Sequence, residues 1–326
     1  DYYQATQRKE KRQALLRQLL RDKDTPQDSR YALILQATRQ LKDENTDQIM
    51  AIFDDALSVP QEDAGIYLVK AMLMARHDFP RDEVNAVYRQ ALAVEPDNEM
   101  AQGLLVQNLA EEERFGEIVD LCKTSLQYTP DNQQLCYFEG FSLFQLKRND
   151  EALASLQKTV ELRDEESDSG MMADCYSLMG EIYREKGMDK ACYEAYDSCL
   201  HYAPDNVGAL NNYAYYLSLD SAADLQKAEQ MSLKAVQKEP DNATFLDTYA
   251  WILFKEKRYD DAKTIAERAI ASDSTLSSVV VEHCGDIFYM AGDTDRAMEM
   301  WQKAAQEDED NAILRRKIEL KKYIEE

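Results

Sequence analysis

The chain has 326 residues, a formal net charge of −24 and a sequence pI of about 4.6. So acidic a surface repels a nucleic-acid backbone, whose binding needs concentrated Lys and Arg, and no nucleic-acid partner is expected. Apolar residues make up 44%, enough for a continuous core, yet no run of 18 apolar residues could span a membrane; ten Gly and seven Pro fit a nearly all-helical protein.

Residues 1–26 open with "DYYQATQRKEKRQALLRQLL", which has no Met and no signal-peptide pattern. This stretch reads as the helix of a truncated or partial repeat from which upstream sequence has been removed. Its basic residues, like those of "LRRKIELKKY" near the end, read as solvated helix faces. Pro26, Pro60, Pro96 and Pro130 then follow at intervals of 34, 36 and 34 residues, and Pro204 and Pro240 after 74 and 36. Regular spacing of this kind marks an internal repeat. Four of the prolines stand in the tripeptide P-D-N, at 96–98, 130–132, 204–206 and 240–242. Proline closes the preceding helix because it lacks the N–H, and Asp and Asn can accept hydrogen bonds from the free N–H groups that open the next one.

Between these joints lie eight units, approximately 27–59, 61–95, 97–129, 131–163, 170–203, 205–239, 241–273 and 275–308. Each holds two apolar-periodic segments split by a polar turn such as "LKRND" or "KEKRYDD", so each reads as a hairpin of helix A and helix B. The predicted organisation is a partial repeat over 1–26, three degenerate repeats over 27–130, five clear repeats over 131–308 with an insertion near 164–170, and a charged capping helix over 309–326.

Within the units, small and large residues recur at fixed places. Residues 170–203 carry Tyr176, Met179, Gly180, Tyr183, Gly187, Cys192, Tyr196 and Cys199 before Pro204. Residues 275–308 carry Gly285, Phe288, Gly292, Ala297, Trp301 and Ala304; residues 241–273 carry Leu246, Tyr249, Ala250, Ala262, Ala266 and Ala269. This pattern resembles the tetratricopeptide repeat (TPR), clearly from about 131 to 308 and mainly through the period before that. "ALNNYAYYLS" and "DNATFLDTYAWILFKEKRYDDA" are similar to TPR proteins of Gram-negative bacteria. The resemblance implies an all-α, right-handed superhelical solenoid of about eight helix-turn-helix repeats.

Signals for chemistry are sparse. Cys122, Cys192, Cys199 and Cys284 fall on packing positions of the repeat, and no C-x-x-C occurs. His77, His201 and His283 are far apart, and Glu282, His283 and Cys284, being consecutive on a helix, cannot converge on one point. "DEESDSG" (164–170) has its Gly one place late for a calcium loop and Cys175 where the bidentate Glu belongs. No nucleotide-binding, hydrolase or zinc-protease motif is present. Neither an enzyme, a metal site nor a cofactor is expected.

At 100° per residue, one stripe of each helix A faces helix B and the opposite stripe is free of that duty. In TPR superhelices that second stripe lines a concave groove for peptides. Here it carries Tyr137, Phe141 and Phe144 in the fourth unit and Ser177, Glu181 and Arg184 in the fifth. Asn211 and Tyr215 follow in the sixth, Asp247, Trp251 and Phe254 in the seventh, and Glu282, Asp286 and Tyr289 in the eighth. Packing between successive A helices would also account for individual rings. Asn212 matches an asparagine that some TPR superhelices repeat as a ladder, but Phe138, Leu178, Thr248 and His283 at the equivalent places do not continue it.

The expected function is a non-catalytic protein- or peptide-binding scaffold. Phe141, Tyr215 and Trp251 would bury the apolar anchors of a neutral-to-basic partner, and Asn211, Asp247, Glu282 and Asp286 would orient it. The alternatives are a homo-oligomerising module, or an adaptor segment of a larger protein with an upstream domain. For location, the bacterial resemblance points to the periplasm and the unpaired cysteines to the cytoplasm.

Overall fold

The computed structural model describes residues 9–40, 46–220, 224–273, 275–308 and 310–325. Two compact units divide between Glu166 and Ser167, inside the acidic 164–170 stretch. Among the described residues there are eighteen helices.

Unit 1 begins with α1 (Lys9–Arg21), which packs on the pair α2 (Gln27–Gln40) and α3 (Thr46–Leu57). Leu20 is buried in that contact, and Arg17 and Arg21 reach across to Asp55, so part of the basic N-terminal face is tied down. Three further pairs follow: α4 (Gly65–Arg76) with α5 (Arg81–Val94), α6 (Glu99–Glu111) with α7 (Phe115–Ser125), and α8 (Gln133–Gln145) with α9 (Asn149–Glu161). Unit 2 repeats the plan with α10 (Ser169–Glu185) and α11 (Asp189–Tyr202), then α12 (Val207–Leu219) and α13 (Leu225–Lys238). Next come α14 (Ala243–Lys255) and α15 (Tyr259–Ser272), α16 (Ser278–Met290) and α17 (Thr294–Glu307), and the closing helix α18 (Ala312–Leu320).

The joints between pairs are built as the P-D-N tripeptide suggests, with one refinement. Asparagine supplies the cap: Asn98, Asn132, Asn206 and Asn242 each accept from a backbone N–H of the following helix, and Asn311 does so for α18. Asp205 instead binds Lys234 and Lys238 of the same repeat's second helix. Lys234 and Arg268 also donate to the carbonyls of Pro204 and Pro240, fastening the joint to the B helix.

Turns within the pairs share a different device. The N–H of the third residue past helix A returns to a carbonyl five residues earlier in Arg114→Leu109, Arg148→Leu143, Met188→Tyr183, Arg258→Leu253 and Asp293→Phe288, at 2.8–2.9 Å. This geometry requires one residue with positive φ. Gly187 and Gly292 provide it freely, whereas Asp78, Glu113, Lys147 and Lys257 adopt it with φ of 55–64° against the steric preference of an L-residue. The turns of the early repeats therefore keep TPR geometry without the glycine that signals it.

What sets the distance between A and B is a pair of side chains sixteen residues apart. A Cβ on Gly140 would stand 2.8 Å from Leu156 Cγ and one on Gly180 2.9 Å from Tyr196 Cε2, and on Gly285 it would run into the Trp301 indole. Elsewhere the same spacing joins Val106 to Cys122 and Ala250 to Ala266, all fully buried. A large side chain on B thus goes with glycine on A.

Gly285→Ala is expected to destabilise unit 2 by about 1–3 kcal/mol through overpacking. Gly103→Ala, whose Cβ would meet nothing within 4 Å, should stabilise unit 1 by about 0.5–1 kcal/mol through helix propensity. Urea unfolding followed by circular dichroism measures both, and shifts of the same sign would show that the ring contact does not control the packing.

Candidate functional site

The stripe facing away from helix B recurs at the fifth, ninth and twelfth residues after the cap. On α8 these are Tyr137, Phe141 and Phe144, all half-buried. The Tyr137 and Phe141 rings lie 6.2 Å apart, Phe141 meets Phe115 edge-on at 6.0 Å, and the Lys147 ammonium stands 5.3 Å from the Phe144 ring. Leu135, Cys136, Gly140 and Leu143 on the same helix are buried, whereas the aromatic row is half-buried.

In unit 2 the stripe is drawn into polar links between successive A helices. Glu181 on α10 accepts hydrogen bonds from Tyr196, from Asn212 Nδ2 at 2.9 Å and from Tyr216 Oη at 2.7 Å. Burial and the Glu181 charge both hold the Tyr196 and Tyr216 hydroxyls above their ordinary pKa, so they act as donors. Arg184 donates to Asp189 and lies 5.2 Å from the Tyr216 ring, while Ser177 is half-buried. On α12, Asn211 is buried with its Oδ1 lacking a hydrogen-bond partner among the described residues, and Tyr215 is half-buried.

Asp247, Trp251 and Phe254 on α14 are buried, as are Glu282 and Asp286 on α16; Tyr289 is half-buried, 5.6 Å from Trp301. Asp247 binds His283 Nδ1 at 3.0 Å, and the imidazole stacks on Trp251 at 4.0 Å. Lys317 of α18 is buried and donates at 2.7 Å to both Glu282 and Asp286, with Trp301 Nε1 donating to Asp286 at 2.9 Å. Tyr215 of the sixth repeat reaches His283 of the eighth at 6.3 Å, so the A helices converge on this side of unit 2.

Burial pushes the His283 pKa down, but the charge and hydrogen bond of Asp247, with Asp286 and Glu282 beyond, outweigh it and raise the value. Burial raises Asp286 to about 6 despite the Lys317 ammonium. Lys317 is itself raised, its two carboxylates overcoming desolvation.

Three of these contacts come from one register. Asn212, His283 and Lys317 are each the sixth residue after a cap, and each binds a carboxylate on the preceding A helix. An asparagine ladder misses two of them, because three different residue types, Asn, His and Lys, play the role at these three places. The signal that finds them is a donor at the sixth place following an acid one repeat earlier, at the fifth or ninth place after the cap or, in the longer α10, at the thirteenth. Glu282, His283 and Cys284 do diverge: the first meets Lys317, the second Asp247, and the third is buried in the core.

The six cysteines are buried as free thiols, and burial raises Cys192 to about 12 and Cys199 to about 11, which disarms them as nucleophiles. Among the described residues no group of His, Cys, Asp and Glu is arranged to hold a metal ion. No described helix is long and apolar enough to cross a membrane.

Comparison with known proteins agrees with this architecture. A tetratricopeptide repeat protein from Parabacteroides merdae superposes with a TM-score of 0.52 at 13% identity, over 79% of this chain and 98% of its own. A chain of the APC/C hetero-tetramer Cut9–Hcn1 also gives 0.52, at 12% identity, over 91% of this chain and 57% of that one. In sequence, stress-induced-phosphoprotein 1 of Caenorhabditis elegans is 25% identical over 107 residues, 31% of this chain; the chain spans about a third of that relative's length. No family model matches. The fold and its glycine–ring contacts define an α-solenoid, and the chain has the tetratricopeptide-repeat fold.

Lys317→Ala leaves two buried carboxylates without their cation and is expected to cost about 3–5 kcal/mol, against about 0.5 kcal/mol or less for exposed Arg315→Ala, by urea unfolding. A histidine raised by folding stabilises the fold below its ordinary pKa of about 6.5, and that contribution is lost as pH rises through the folded value. Asp286, raised from 3.8 to about 6, acts in the same direction as pH falls. The stability advantage of the parent chain over His283→Gln should therefore grow between pH 8.5 and pH 5.5; an advantage independent of pH would remove the titration from His283.

Proposed function

We propose that the chain is a non-catalytic scaffold that binds protein segments on its A-helix stripe, with apolar anchors on aromatic rings and basic groups against the acidic surroundings. The observation that carries this reading is the half-exposed row Tyr137, Phe141 and Phe144, which helix pairing does not require. Around it, residues 97–145 hold nine acidic against two basic side chains, so a basic, partly apolar segment is the complementary partner. The Cut9–Hcn1 hetero-tetramer shows a protein of this fold in a multi-chain assembly, which supports a scaffolding role.

Selection of a random peptide display library on the intact chain tests the reading. Recovered peptides should combine Lys or Arg with aromatic or branched apolar residues. Combined Tyr137→Ala and Phe141→Ala, with helicity verified by circular dichroism, should weaken binding at least about tenfold, or about 1.4 kcal/mol. Peptides that bind both chains equally would move the site off α8.

A further inference from the structure

The segment after α18 turns back onto the stripe of unit 2. Lys321 takes a left-handed conformation with φ of 50°, and Lys322 N–H returns to the Lys317 carbonyl at 3.1 Å, closing the helix and redirecting the chain. Tyr323 then meets the face of Phe254 edge-on at 5.6 Å and packs on the cluster that contains Trp251. Lys317 Nζ stands 5.6 Å from the Tyr323 ring while it binds Glu282 and Asp286. Phe254 and Trp251 are only 5% and 7% exposed, in contrast to the half-exposed row on α8.

An aromatic ring on Phe254 and an ammonium among stripe carboxylates are the chemistry expected of a guest. We infer that residues 321–325 are a built-in occupant of the α14 part of the stripe, so that a partner's aromatic side chain reaches Phe254 and Trp251 only when Tyr323 lifts away. This rests on the stripe being the binding face. It also accounts for Tyr323, whose position no packing rule of the repeat demands. A short segment tethered in cis competes at an effective concentration in the millimolar range, enough to exclude weak guests and yield to strong ones.

Acrylamide quenching of tryptophan fluorescence reports the cover directly, because Trp301 is fully buried and a gain in quenching comes from Trp251. Two variants serve: the chain ending at Leu320, and Tyr323→Ala in the full chain, each checked for helicity. Quenching is expected to rise about twofold or more in both. A peptide of residues 319–325 at millimolar concentration should restore protection to the shortened chain, and the same peptide with Tyr323→Ala should not. Unchanged quenching in both variants would overturn the inference, as would exposure that the peptide fails to reverse. Neither readout involves α8, so failure here leaves the aromatic row of unit 1 as proposed, and equal binding in the display experiment leaves this contact intact.

Discussion

Everything in this chain hangs on how closely helix A can approach helix B. That distance is set by one pair of side chains sixteen residues apart, and where the B residue is large the A residue is glycine: Gly285 with Trp301, Gly180 with Tyr196 and Gly140 with Leu156. Close packing tolerates neither a void nor an overlap of even one methylene, so a large residue on one helix calls for a small one opposite. With that spacing held, the asparagine caps and left-handed turns need only join one rigid pair to the next.

That constraint explains which features were legible in the sequence. The period of the prolines and the capping asparagines are local chemistry, and a single strand of text displays them. The clear TPR glycines appear where B carries a large ring, as at Gly180 and Gly285. Earlier repeats place buried Val106 and Cys122 at that spacing, and their turns reach positive φ with Asp78 and Glu113. Their departure from the family pattern is one of residue identity and not of geometry. The division between Glu166 and Ser167 was visible only as an acidic insertion, because independence of two units is a property of long-range contacts.

The stripe was legible to a different degree. Helical periodicity identifies Tyr137, Phe141, Phe144, Trp251 and Phe254 as one face, yet it cannot say what covers that face. On α8 the row is half-open; on α14 and α16 it is occupied by His283, Lys317 and Tyr323, which arrive from later helices. Such occupancy depends on residues 30 or more positions away, beyond the reach of any local pattern. It also explains why Asp247, Glu282 and Asp286, which look like ligand-orienting carboxylates, already have partners.

The acidity of the chain gives those internal partners their weight. Three buried carboxylates of the last two repeats face one histidine and the lysine of α18, so the cluster is short of positive charge, most so when His283 is neutral. An uncompensated buried carboxylate is costly, and each additional proton or cation brought to the cluster relieves the cost. Protonation of His283 and docking of Lys317 are then two ways of meeting the same electrostatic demand.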